Sequence, residues 1–447
     1  MLIGQASINL TANILSALLG LLSVFVFTRL FSPHDYGTYL LGTGFASVIS
    51  VFLAGWFRNL VLSGHARNDG TDVRGLVASG FLLSCLTAPI AYGLGVLTGL
   101  GAAAAVAAIA LSIAIAFFDL TQDLIRARLR AFAVMRGTLV RSAGVLCLGV
   151  LVALVSPTGL VLLLSSTAAC LIAILVQSRT AWRGTMMVFD RADLAALARQ
   201  GLPLTVSLTL LAVSSVADRF VIANLVGAAD AGRYVAALDL VRQTLMLPAM
   251  SAAAALGFAM ISAHVANVVL GADFREIAAQ TMPIVAVAVI FQILTQQYLH
   301  ASFLLSGRNS FYLINTASII IANVILSCVL VESHGTVGAA WARLGADAIG
   351  FLCALVLSRS AFPVPLPAGR LALVMIAALI MALMVGALDR HLHVADLTAC
   401  IVLACTGFCS YAVLCWLFDI SRLRGRLKSG VALLRTKRAN LTIGPSP

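Results

Sequence analysis

Asp119, Asp123, Asp218, Arg219, Asp239, Arg242, Arg343 and Asp347 stand inside stretches built otherwise of small and apolar residues, and Arg58 and Arg126 sit at the ends of two such stretches. A charge at mid-membrane costs at least about 2.5–3.5 kcal/mol, so such groups pair with one another or face an aqueous cavity. Asp119/Asp123 and Arg343/Asp347 are spaced i, i+4 and Asp239/Arg242 i, i+3, which puts both members of each pair on one helical face. Arginine suits phosphate, because its planar donor fork binds oxygens bidentately. Arg58, Arg126, Arg219, Arg242 and Arg343 are therefore candidate cavity cations for an anionic cargo. Asp119, Asp123, Asp218, Asp239 and Asp347 are candidate cavity carboxylates, and a carboxylate in low dielectric is suited to coupling with H+ or Na+. Asn13, Gln122, Gln292, Gln296, Gln297, Asn315 and Asn323 add amides to the same stretches. Simpler roles also fit: an intrahelical ion pair for Arg343 and Asp347, snorkelling for Arg58 and Arg126, helix-to-helix hydrogen bonds for the amides.

Other chemistries find no support. The nine cysteines fall in apolar runs without metal spacing and read as small core residues. The HxH of His391 and His393 stands alone on a turn, so no metal site is expected. No GxxxxGK[ST] occurs, so no nucleotide site is expected, and no cofactor is expected either.

The elements that must position these charges follow from composition. With 61% hydrophobic and 10% charged residues and a mean hydropathy of +1.04, the chain is an integral membrane protein. Alternating strand-length patterns are absent, which leaves helices to satisfy the backbone in lipid. We place fourteen crossings at about 5–30, 37–62, 75–97, 101–125, 138–156, 158–178, 203–226, 231–248, 251–270, 277–305, 311–331, 335–358, 371–388 and 397–419, thirteen being the alternative. With a cytoplasmic N-terminus, only Arg29, Arg233, Arg275 and Arg390 of the 29 Lys and Arg fall outside and three lie within spans, leaving 22 on the cytoplasmic side. That imbalance satisfies the positive-inside rule and places both termini in the cytoplasm. The net charge of +12 follows from it and asks for no nucleic acid.

One polar turn recurs. "FSPHDYGTYLL" at 31–41 matches "VGAADAGRYVA" at 226–236 with a constant offset of 195 residues, aligning Asp35 with Asp230, Gly37 with Gly232 and Tyr39 with Tyr234. In each copy Gly supplies a tight turn, Asp is placed to cap the incoming helix, and Tyr suits the interface. The expected fold is therefore an all-α polytopic membrane protein of two six-helix lobes related by a pseudo-twofold axis, plus two C-terminal helices. The expected domains are a lobe at 1–178, an amphipathic cytoplasmic linker at 179–202 with Asp190 as N-cap, a lobe at 203–358, two extra helices within 371–419 and a basic cytoplasmic tail at 420–447. The second lobe is short at 231–271, where two crossings share 41 residues and turn near Pro248 to Ser251. Pro89, Pro248 and Pro283 are expected as helix-interior kinks.

The helix ending in "TRLFSPHDYGTY", the span "VADRFVIANLVGAADAGRYVAA" and the six-plus-six-plus-two pattern resemble the Wzx-type oligosaccharide flippases, of one superfamily with MurJ-type lipid II flippases and MATE multidrug exporters. The resemblance covers nearly the whole chain, the compressed 231–271 region being its departure. It implies translocation, without catalysis, of an undecaprenyl-pyrophosphate-linked oligosaccharide across the bacterial inner membrane, beside a polysaccharide polymerase. It also marks Asp218 as the acidic residue common in the seventh span. Three rivals are a MATE-like cation-coupled exporter, which would favour an acidic aromatic cavity, a glycan-assembly enzyme, which needs a large outer loop, and a non-transporting component of polysaccharide assembly.

Overall fold

A computed structural model describes residues 2–66, 74–186, 189–246, 252–306, 309–361, 368–392 and 394–418. The described chain is helical and contains no strand. Its first half comprises α1 (Leu2–Leu30), α2 (Pro33–Ala66), α3 (Arg74–Cys85), α4 (Ala88–Leu97), α5 (Ala102–Ala127), α6 (Ala131–Val155) and α7 (Gly159–Trp182). The second half comprises α8 (Arg191–Leu225), α9 (Ala228–Met246), α10 (Ala252–Val269), α11 (Ala272–Ile293), a π-helical segment (Leu294–Leu299), α12 (His300–Leu305) and α13 (Asn309–Ala361). Two further helices, α14 (Ala368–Asp389) and α15 (Asp396–Leu417), follow.

Ten of these helices are long and apolar enough to cross a membrane, or eleven with α3 and α4 counted as one bent span. The fourteen expected crossings nevertheless all have a helical counterpart. The helix α13 holds two of them: Gly335, at φ 56° and ψ −139°, breaks it into two arms that fold back on each other. Four charged residues keep α9 below the apolarity of an ordinary span, and α10 is short. The narrow 231–271 region is thus filled by two helices, the turn from Pro248 to Ser251 lying outside the described residues along with the 420–447 tail.

Three expectations change. The crossing at 75–97 is broken, with a 45° bend between α3 and α4, and Pro89 begins α4 where its missing N–H costs nothing. The linker and the seventh crossing are one helix, because Asp190 Oδ1 accepts from the Ala192 and Asp193 N–H groups and the turns then run unbroken to Leu225. At the first polar turn Ser32 is the cap: its Oγ accepts from the Asp35 N–H at 3.1 Å and donates to Asp35 Oδ2 at 2.6 Å. The other carboxylate oxygen of Asp35 accepts from Gly159 N–H at the start of α7. Pro283 lies inside α11 as expected.

The repeated turn now has a physical reason. A Cβ on Gly37 would overlap the Ala228 carbonyl oxygen, and one on Gly232 would meet the Pro33 carbonyl oxygen at 2.5 Å and Gly37 Cα at 2.7 Å. Residues 33 and 228, like 37 and 232, are 195 apart, so each copy of the motif touches the other through the same atoms. Such reciprocity is what a local twofold axis produces. Around this crossing Tyr36, Tyr234 and Phe274 are buried, and Tyr36 packs edge-on to Phe274 at 5.8 Å, which closes this end of the molecule with apolar side chains.

The α14–α15 hairpin docks on the rest of the molecule through α10. Its polar fastening is His264, whose Nδ1 is 2.6 Å from Asp396 and whose Nε2 is 2.9 Å from Asp389. Replacing His264 with leucine is expected to loosen this docking. The three groups are each about a quarter or more exposed, so screening limits the effect to roughly 1 kcal/mol. Amide hydrogen exchange in α14 and α15 should then quicken about fivefold, while α5 stays unchanged.

Candidate functional site

A cavity of about 860 Å³ lies in the half of the molecule away from the Gly37–Gly232 crossing. Its walls come from α2, α5, α8, α9, α11, the π segment, the start of α12 and both arms of α13. Four of the five expected arginines line it, Arg58, Arg126, Arg242 and Arg343, together with the carboxylates Asp123 and Asp347. The lining therefore carries four formal positive and two negative charges. Gln292 and Gln296 line it as well.

On one wall, Arg58 reaches across from α2 to α5. Its Nε donates to Asp123 at 2.6 Å and its Nη1 to Asp119 at 3.1 Å, while Arg126 holds the other oxygen of Asp123 at 3.1 Å. The i, i+4 spacing of Asp119 and Asp123 makes this possible, since one guanidinium fork spans both. Asp119 stands behind Arg58 and is not part of the cavity lining.

The opposite wall is deeper. Arg343 Nε donates to Asp347 at 2.9 Å, and its Nη1 lies 3.5 Å from Asp218 and 3.3 Å from the Ser214 carbonyl oxygen. Asp218 is fully buried and also accepts from Tyr234 Oη at 3.1 Å and from the Arg219 N–H at 3.0 Å. Arg343 thus screens Asp218 from the cavity, and the expectation that Asp218 faces it is corrected. Arg219 and Asp239 are corrected likewise: they bridge each other at 3.1 Å between α8 and α9 and line no part of the cavity. The reason lies in the helix: consecutive residues diverge by about 100°, so adjacent Asp218 and Arg219 serve different neighbours.

Arg242 is different. Among the described residues it alone of the five arginines has no carboxylate within salt-bridge distance, its two terminal nitrogens donating to the Ser215 carbonyl oxygen at 3.4 Å each. A cation at the cavity wall whose hydrogen bonds are long and neutral is available for an anion.

Sequence reasoning passed over Ser214, Ser215, Thr295, Thr316 and His300, all of which line the cavity. Ser214 and Ser215 were legible as the residues one turn before Asp218. Thr295, Gln296 and His300 owe their placement to the π segment, whose i to i+5 bonding widens the turn and resets the face presented; such segments recur at functional sites. His300 Nε2 lies 3.0 Å from Asn315 Nδ2, and Asn315 is buried. Gln122 is buried against α6, with its amide nitrogen 3.4 Å from the Val134 oxygen, and Asn13 is exposed on α1, so neither lines the cavity. The side chain of Gln297 and residue His393 lie outside the described set. Among the described residues no group of three or more His, Cys, Asp or Glu is arranged to hold a metal ion.

Comparison with solved structures finds the fold similar to that of the lipid II flippase MurJ in an inward closed conformation, at 14% identity and a TM-score of 0.75, over 92% of this chain and 98% of that one. A multidrug resistance MATE family transporter in an outward-facing conformation matches at 13% identity and 0.51, over 80% and 95%, and a eukaryotic MATE transporter at 13% and 0.52, over 80% and 96%. At these identities the likeness is one of fold. No curated protein sequence matches the chain. The polysaccharide biosynthesis protein family model matches residues 3–264, more than half the length and including both copies of the polar turn, and the chain belongs to that family.

Proposed function

We propose that the protein is a flippase moving undecaprenyl-pyrophosphate-linked oligosaccharide across the bacterial cytoplasmic membrane for surface polysaccharide synthesis. The observation that carries this reading is the excess of arginine over aspartate around one cavity between the spans, with Arg242 paired to no carboxylate among the described residues. A pyrophosphate brings the negative charge that this lining lacks, and the serine, threonine and amide groups beside it are partners for sugar hydroxyls. The volume lies within the range of ligand sites. A cavity for organic cations would carry the opposite sign.

In this reading both termini are cytoplasmic, by the distribution of Lys and Arg. The Gly37–Gly232 crossing then seals the outer side, and the cavity belongs to the inward state, ready to receive cargo from the cytoplasmic leaflet. Residues 1–178 and 203–358 are the two lobes that rock about the crossing to expose the cavity alternately to each side. Asp123 and Asp347, the carboxylates at the cavity wall, are the groups placed to exchange H+ or Na+ during the cycle. No covalent bond is made or broken, and a polymerase outside consumes the delivered cargo.

Arg242→Gln tests this reading. A charged hydrogen bond to phosphate is worth about 1.5–3 kcal/mol, so surface polysaccharide should fall at least about tenfold and lipid-linked sugar should accumulate inside, with membrane levels of the protein unchanged. Normal polysaccharide combined with reduced dye efflux would refute it.

A further inference from the structure

A second cavity, of about 670 Å³, lies in the first half of the molecule between α3, α5 and α7. Its lining includes Phe81, Leu82, Ile113, Phe117, Ile174 and Trp182, and among the described residues two threonines and the Trp182 indole N–H are its polar groups. Phe117 stacks on Trp182 at 5.3 Å with an 11° angle between the rings, and Trp182 Nε1 donates to Thr121 Oγ1 at 3.1 Å, which fixes the indole at one end of the slot. The α3 wall of the slot, Ala78, Phe81 and Leu82, belongs to the segment before the 45° break to α4. The slot is open on one side, and its apolar walls offer water few hydrogen-bond partners. In a span-lined slot the available filling is a hydrocarbon chain.

The end marked by Trp182 is cationic. Arg183 follows it directly; Arg74 Nη1 donates to the Arg183 carbonyl oxygen at 3.0 Å, and Arg128 Nη1 to the Thr180 carbonyl oxygen at 2.8 Å. The guanidinium groups of Arg74 and Arg128 therefore gather at this end of the slot, and Arg183, whose carbonyl oxygen Arg74 holds, adds a third positive charge to the same turn. Apolar depth joined to a basic mouth is complementary to an anionic phospholipid.

The prenyl tail of a cargo held in the central cavity is a poor fit, for a reason visible in α5. Ala110, Ile113, Ala114 and Phe117 face the slot, whereas Asp123 and Arg126 face the central cavity with Asp119 paired beside them. Phe117 and Asp119 are two residues apart, about 200° around the helix, so the slot and the cavity lie on opposite sides of α5.

We propose that this slot holds one acyl chain of an anionic phospholipid whose phosphate rests among Arg74, Arg128 and Arg183, and that the lipid braces α5 from behind its charged face. The site is independent of the identity of the cargo. To test it, purified full-length protein stripped of lipid in detergent is titrated with phosphatidylglycerol carrying brominated chains. The signal is the quenching of Trp182 fluorescence, taken as the difference between the natural chain and Trp182→Phe. Quenching should saturate at one lipid per chain. The Arg74→Gln/Arg183→Gln pair should raise the apparent Kd about thirtyfold. Ala114→Phe, which fills the slot from α5, should abolish the signal, and Ala78→Phe, which fills it from α3, provides the same test should the first variant fold poorly. Unsaturable quenching, equal quenching by brominated phosphatidylethanolamine, or displacement by undecaprenyl phosphate in preference to phosphatidylglycerol would each overturn the proposal.

Discussion

Replacing Arg343 with leucine is expected to destabilise the purified protein by about 3–5 kcal/mol, the cost of leaving a buried ion unpaired. Arg343 is 4% exposed and serves two carboxylates, and Asp218 beneath it is fully buried. Without the guanidinium, Asp218 keeps its bonds from Tyr234 and from the Arg219 N–H but loses its opposing charge, and Asp347 loses the donor that holds it at 2.9 Å. Arg343→Lys should lie between the natural chain and the leucine variant, because a point charge cannot hold both carboxylates in the geometry of a fork. The double variant Arg343→Leu/Asp347→Leu should recover part of the loss, Asp218 alone remaining uncompensated. Thermal unfolding in detergent orders these variants. Equal apparent Tm for the natural chain and Arg343→Leu would show that the triad carries no such weight.

Gly37→Ala is expected to act at the other end of the molecule and to break the seal. The added methyl overlaps a backbone carbonyl oxygen, that of Ala228, which has no rotamer by which to yield. Overpacking of this kind costs about 1–3 kcal/mol, and relief requires α2 and α9 to part where they cross. In the two-lobe reading this destabilises the inward state relative to the outward one, so spin-label distances between the first turns of α2 and α9 should lengthen and polysaccharide export should fall about tenfold or more. Gly232→Ala should have the same effect by symmetry. Gly93→Ala is the control: it lies within α4 with no atom near its added methyl, and it should be neutral or slightly stabilising. Unaltered distances in Gly37→Ala would sink the idea that this contact closes the outer side.

Much of the architecture was legible because membrane helices announce themselves by apolar length and because buried charge is rare enough to be informative. Asp123, Asp347 and four arginines were read as cavity residues from their place in apolar runs, and they line one cavity. What the chain could not reveal is partnership across helices. Asp218 and Arg219 sit side by side in sequence yet belong to separate ion pairs on different helices, and Asp119 serves Arg58 across 61 residues. The π segment at Leu294–Leu299 was equally hidden, since its residues differ in no obvious way from those of an ordinary helix and its register decides whether His300 points inward. The continuity of α8 went unseen for a related reason: Gly201 and Pro203 look like punctuation, and tertiary packing overrides them.

The crossing of Gly37 and Gly232 constrains how such a chain is able to change over generations. A side chain gained at either glycine meets the backbone of the other copy, so the two positions are coupled although 195 residues separate them. At this knot neither glycine is able to vary alone. One steric contact thus imposes the same short polar phrase at two distant places in the chain.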